Sequence, residues 1–159
     1  MRILVTGHKG YIGTTTVPML LAAGHEVVGI DSNLFGQSTF LDGIANIPEL
    51  NKDIRDVEAE ELRGFDAIIH LAALANDPLG NLDPDLTYEI NHKASVRLAA
   101  LAKEVGVERF LFSSSCSTYG SAGAEKVTEE AEFNPVTPYG RSKVLVEQDV
   151  AKLADDNFS

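Results

Sequence analysis

Tryptophan is absent, cysteine occurs once as Cys116, and 13 Lys plus Arg face 24 Asp plus Glu, a formal charge of −11. A lone cysteine allows no intrachain disulfide, which fits a reducing compartment, and a cytoplasmic location is expected. So acidic a surface lacks the electrostatic footprint for nucleic acid or an anionic membrane, and neither is expected as a partner. Any anionic ligand must then be held by local groups against the global field. No uncharged apolar run is long enough to cross a bilayer, and the opening Met1–Gly7 run is too short for a signal-peptide core. The four histidines show no metal-ligand spacing, so no metal site is expected.

What is present fits a single globular domain: 159 residues, 44% of them hydrophobic. Short β-rich runs alternate with longer helical patterns. Strands are expected at Arg2–Thr6, Glu26–Asp31, Ala67–Ala73 and Arg109–Ser114, with a short edge strand within Ile47–Asn51. The first helix is expected over Ile12–Ala23, stopped by Gly24, and Val57–Arg63 is a poor helix candidate. A long helix should run from Pro84 to Val105, with Leu86, Ile90, Ala94, Leu98, Leu101 and Ala102 on one apolar face. A final helix should open near Pro138. Repeated strand–helix units predict an α/β, doubly wound, mostly parallel sheet with helices on both faces.

The first strand runs into Thr6-Gly7-His8-Lys9-Gly10-Tyr11-Ile12-Gly13, with three glycines at three-residue spacing before a helix. Missing Cβ atoms permit a tight turn and bring backbone N–H groups near a pyrophosphate, while the helix N-terminus adds partial positive charge. Asp31 closes the second strand 18 residues beyond Gly13. A carboxylate there can accept both adenosine ribose hydroxyls and repel a 2′-phosphate, which favours NAD over NADP. Lys9 points the other way, because a cation in this loop could meet a 2′-phosphate. Further on, Tyr139 and Lys143 stand at i and i+4 on one helix face, where an ammonium favours the phenolate.

Taken in order, these motifs resemble the extended short-chain dehydrogenase/reductase family, the NAD-dependent nucleotide-sugar epimerases and dehydratases. The resemblance spans the chain. It rests on the Thr6–Gly13 loop, Asp31, Asp53-Ile54-Arg55-Asp56, His70-Leu71-Ala72-Ala73, Asn91, Ser113–Gly120 and Pro138-Tyr139-Gly140-Arg141-Ser142-Lys143. It implies a Rossmann-type domain in which Gly7, Gly10, Tyr11, Ile12 and Gly13 cradle the pyrophosphate of NAD. Asp31, Ser32 and Asn33 would hold the adenosine ribose, and Asp53 and Ile54 would flank the adenine. Leu71, Ala72, Ala73 and Ser113 would line the cofactor, with Asn91 supporting the active-site helix.

The same resemblance implies Tyr139 as acid/base, Lys143 on the nicotinamide ribose, and Ser115 as the catalytic hydroxyl, with Ser114 as the alternative in the serine run. The implied reaction is epimerisation of a nucleotide-sugar through a transient ketosugar. Dehydratases and decarboxylases of the family carry acidic residues just after the catalytic hydroxyl, where this chain has Cys116 and Ser117. Family members continue into further strands and a substrate domain, so residues 1–159 are expected to be an N-terminal part with low or no activity alone. Pairing of two copies through the helices from Pro84 and Pro138 is also implied. The rivals are another NAD-dependent oxidoreductase and a non-catalytic dinucleotide-binding module.

Overall fold

The computed structural model describes residues 1–36, 45–120 and 126–159. Among the described residues five strands, β1 (Arg2–Thr6), β2 (Glu26–Asp31), β3 (Glu49–Asn51), β4 (Ala67–His70) and β5 (Arg109–Phe112), form one sheet in the order β3-β2-β1-β4-β5. Every pairing is parallel. Thr6 lies level with Ile30 on one side and His70 on the other, so three strands end together. The strand order reverses between β1 and β4, and at such a switch point the crevice beyond the strand ends is open to a ligand.

Alternation along β1 divides the core. Ile3 and Val5 pack with Val17 of helix α1 (Gly13–Ala22), whereas Leu4 faces the opposite layer. That layer contains Leu98, Ala99 and Ala102 of helix α4 (Ser95–Glu104), together with Val57, Leu62 and Phe65. Burying a side chain the size of Leu98 contributes roughly 1.5–3 kcal/mol. The doubly wound α/β expectation therefore holds. Ala94, Leu98, Ala99 and Ala102 are used in the chain's own core.

The boundaries shift for local reasons. β4 ends at His70: the Leu71 N–H is shared between the Thr6 carbonyl at 3.1 Å and the Thr6 hydroxyl at 3.2 Å, and the Ala72 N–H turns wholly to that hydroxyl at 3.2 Å. β5 stops at Phe112 before its serine run. The long helix begins as α3 (Pro84–Tyr88), widens into a π-turn at Glu89–Ala94 and continues as α4. The wide turn rotates the helix face, which leaves Leu86 exposed while Ala94 and Leu98 stay buried.

Helix α2 (Asp77–Leu82), capped by Asn76, is not expected from the sequence. Helix α5 (Pro138–Val150) opens at Pro138 as expected. At the outer edge of β5, Ser159 donates its N–H to Glu108 and accepts from Phe110 at 2.8 Å. Among the described residues no helix is long and apolar enough to cross a membrane.

Candidate functional site

The glycine loop leaves β1 through Gly7, whose φ of +71° lies in the left-handed region. A Cβ on Gly7 would sit 2.8 Å from the Ala72 nitrogen, and one on Gly13 would sit 2.4 Å from the Gly7 carbonyl. Only bare backbone can pack this closely. Gly10 closes the turn by donating to the Gly7 carbonyl at 3.0 Å. Helix α1 then starts with no side-chain cap at Ile12 and no acidic residue in its first turn. An uncapped N-terminus free of carboxylates suits an anion, and the glycine cradle therefore fits a pyrophosphate. Tyr11 and Ile12 stand exposed at its mouth.

Across the loop, Asp31 is oriented by backbone. One oxygen accepts from the Lys9 N–H at 3.0 Å and the other from the Asn33 N–H at 2.8 Å. Asn33 itself takes a left-handed φ of 54°, which turns the chain away from the carboxylate. Ser32 is exposed beside it. The Lys9 ammonium is turned aside to Glu49.

The adenine pair is less simply placed. Asp53 caps a short turn, and its carboxyl is held below the usual carboxylate range by the paired Arg55 guanidinium, 2.8 Å away. Ile54 points into the core at 4% exposure, so its side chain is not presented to a ligand.

At the switch point, one chain of hydrogen bonds links β1, β4 and the π-turn. The Leu71 and Ala72 N–H groups donate to Thr6 Oγ1, which lies 2.7 Å from His70 Nδ1. His70 Nε2 lies 2.7 Å from Ser95 Oγ, and Ser95 donates to the Asn91 carbonyl at 2.8 Å. Since Ser95 spends its proton on Asn91, His70 carries its own on Nε2 and accepts from Thr6 at Nδ1. Burial first, and then the Lys143 charge, push His70 down to about 3, so it is neutral. Asn91 accepts from the Leu74 N–H at 2.8 Å and donates to the Leu74 carbonyl and to Ser142 of α5. It thus ties the loop after Ala73 directly to the helix bearing Tyr139 and Lys143.

That helix is docked closely. Thr137 caps it at the Gly140 N–H and donates to Asp77 of α2. A Cβ on Gly140 would lie 2.6 Å from the Ser117 carbonyl, and one on Gly80 would lie 3.1 Å from Tyr139 Cβ. Tyr139 is therefore set between α2 and the turn Cys116–Tyr119, whose cap is Ser115 accepting from the Ser117 N–H. Ser114 instead donates to Glu147 of α5.

Lys143 is 5% exposed. Its Nζ donates to the Ser113 carbonyl at 2.8 Å and lies 4.6 Å from the Phe112 ring centroid and 5.7 Å from that of Tyr139. Burial lowers it to about 8, with Glu147 partly opposing.

The glycine loop, Asp31, Ala72, Ser113 and the Tyr139–Lys143 pair all gather at the C-terminal end of the sheet. Ser95, Glu49 and the hydrogen-bonding role of Thr6 are not expected from the sequence. A threonine ending an apolar strand and a histidine within a buried one were the available signals for the polar chain.

A family model described as the NAD-dependent epimerase/dehydratase family matches residues 3–159. The UDP-glucose 4-epimerase of Mycolicibacterium smegmatis is 36% identical over 154 residues, covering 92% of this chain and 49% of that protein. Among solved structures, the UDP-glucose-4-epimerase of Stenotrophomonas maltophila with bound NAD and formylated UDP-arabinopyranose matches with TM-score 0.84 and 34% identity, covering 97% of this chain and 48% of that one. The dTDP-glucose 4,6-dehydratase DesIV of Streptomyces venezuelae, with NAD and TYD bound, matches with TM-score 0.84 and 32% identity, covering 96% of this chain and 51% of that one. The chain spans about half the length of the relatives it matches.

Proposed function

Because the chain belongs to the NAD-dependent epimerase/dehydratase family, we propose that residues 1–159 form the NAD-binding domain of a nucleotide-sugar epimerase. The observation that carries the reading is the convergence of an uncapped glycine cradle, a backbone-held Asp31 and a packed Tyr139–Lys143 helix at one end of the sheet. NAD held there would supply a reversible hydride acceptor. Gly7, Gly10 and Gly13 hold the pyrophosphate, Asp31 accepts from the adenosine ribose hydroxyls, and the Lys143 ammonium binds the nicotinamide ribose.

Tyr139 Oη receives the proton of the sugar hydroxyl as it becomes a carbonyl, and gives it back on reduction. Ser115 steadies the same oxygen. Lys143 is already fixed by the Ser113 carbonyl, so little ordering is needed when substrate arrives. Support for epimerisation over dehydration lies in Cys116 and Ser117, which offer no carboxylate where the dehydratase pattern needs one. Ala94, Leu98, Ala99 and Ala102 of the long helix are used internally and lend no support to pairing of two copies through that helix.

The test is turnover of UDP-, GDP- and dTDP-sugars by the protein that carries this chain, with Tyr139→Phe alongside. Interconversion of epimers should fall about 10²-fold or more in the variant, with NAD binding nearly unchanged. Full activity in Tyr139→Phe, or a dehydrated product, overturns the reading.

A further inference from the structure

His8, Lys9 and Glu49 form a cluster at the adenosine end of the glycine loop. His8 is 1% exposed, and its imidazole lies against Gly29 of β2, where a Cβ would come within 2.5 Å of the ring. Its Nε2 meets one oxygen of Glu49 at 2.8 Å. The other Glu49 oxygen accepts from Lys9 Nζ at 2.9 Å. One carboxylate on the edge strand therefore spans two neighbouring residues of the loop. The Lys9 side chain is only 15% exposed, and Glu49 is held below the usual carboxylate range chiefly by the Lys9 ammonium.

The backbone N–H of Lys9 holds Asp31, the carboxylate assigned to the adenosine ribose, at 3.0 Å. A flexible lysine at that position can swing its ammonium to the ribose 2′-oxygen. There it would attract a 2′-phosphate, or neutralise Asp31 and remove the repulsion that rejects one. In this fold the ammonium is held by one Glu49 oxygen instead, and buried His8 holds the other.

We propose that Glu49 is a specificity-determining residue that enforces NAD over NADP by holding the Lys9 ammonium away from the ribose. Discrimination is thus shared between a carboxylate that repels the phosphate and a second one, on a neighbouring strand, that sequesters the only cation of the glycine loop. This inference rests on the dinucleotide reading given above.

The test is calorimetric titration of NAD and NADP into the full chain and into Glu49→Gln and Glu49→Asp. Glu49→Gln keeps an oxygen for His8 but drops the charge that retains Lys9. Glu49→Asp keeps the charge but is too short to span both partners. Each should shift the ratio of the two dissociation constants toward NADP, by about tenfold for Glu49→Gln, and adding Lys9→Ala to that variant should reverse the shift. An unmoved ratio overturns the proposal, as does a shift that survives Lys9→Ala or that Glu49→Asp fails to show. If the unsubstituted, folded chain binds NAD and the ratio does not move, only this inference falls. If it binds neither dinucleotide, the parent reading falls as well.

Discussion

Replacing Lys143 by methionine should stabilise the fold at neutral pH while removing a group assigned to the cofactor. Burial brings the lysine from an ordinary 10.5 to about 8. At about 1.4 kcal/mol per pH unit, keeping the ammonium protonated inside the native fold costs about 3 kcal/mol. The folded value lies below the unfolded one, so the penalty is complete below pH 8. It fades as pH rises toward 10.5, where the native protein has released a proton that the unfolded chain still holds.

Methionine occupies a similar unbranched volume but leaves the Ser113 carbonyl without its donor, at a cost of about 1–2 kcal/mol. The net gain at pH 7 should be about 1–2 kcal/mol, or roughly 2–4 °C in Tm for each kcal/mol. Urea denaturation of both proteins at pH 7 and pH 10 measures it. The variant's advantage at pH 7 should vanish by pH 10. A variant less stable at pH 7, or a difference that ignores pH, would refute the reasoning.

Gly7→Ala should destabilise by about 1–3 kcal/mol, because the new methyl meets the Ala72 backbone in a left-handed conformation; urea melts measure this. His70 stays neutral down to about 3 while an unfolded imidazole titrates near 6.5, so stability should fall as pH drops through that window. Acid titrations of His70→Gln, followed by circular dichroism, should show a flatter profile there, and an unchanged slope would assign the loss to other groups.

The sheet, its parallel sense and its two helix layers were legible because the strands are near-continuous apolar runs separated by glycine turns. The placement of the glycine loop and of Asp31 at one end of the sheet was legible because both stand at fixed spacing from β1. Helix α2 was not, since its six residues carry proline and glycine and depend on the Asn76 cap and on packing against Tyr139. The π-turn was not, because the sequence remains apolar at helical spacing through it. The role of Glu49 also stayed hidden. It lies 40 residues from Lys9, and only the parallel alignment of β3 beside β2 brings the two together. For Ile54, the apolar side chain suggested for adenine was claimed by the core.

Titration of NAD into the full, folded chain, compared with Asp31→Ala, tests the dinucleotide site itself. Saturable binding of one NAD per chain is expected. The variant should bind roughly 10- to 100-fold more weakly, as charge-assisted hydrogen bonds to the ribose are lost. A folded chain that does not bind NAD, or that binds it equally well without Asp31, has no such site.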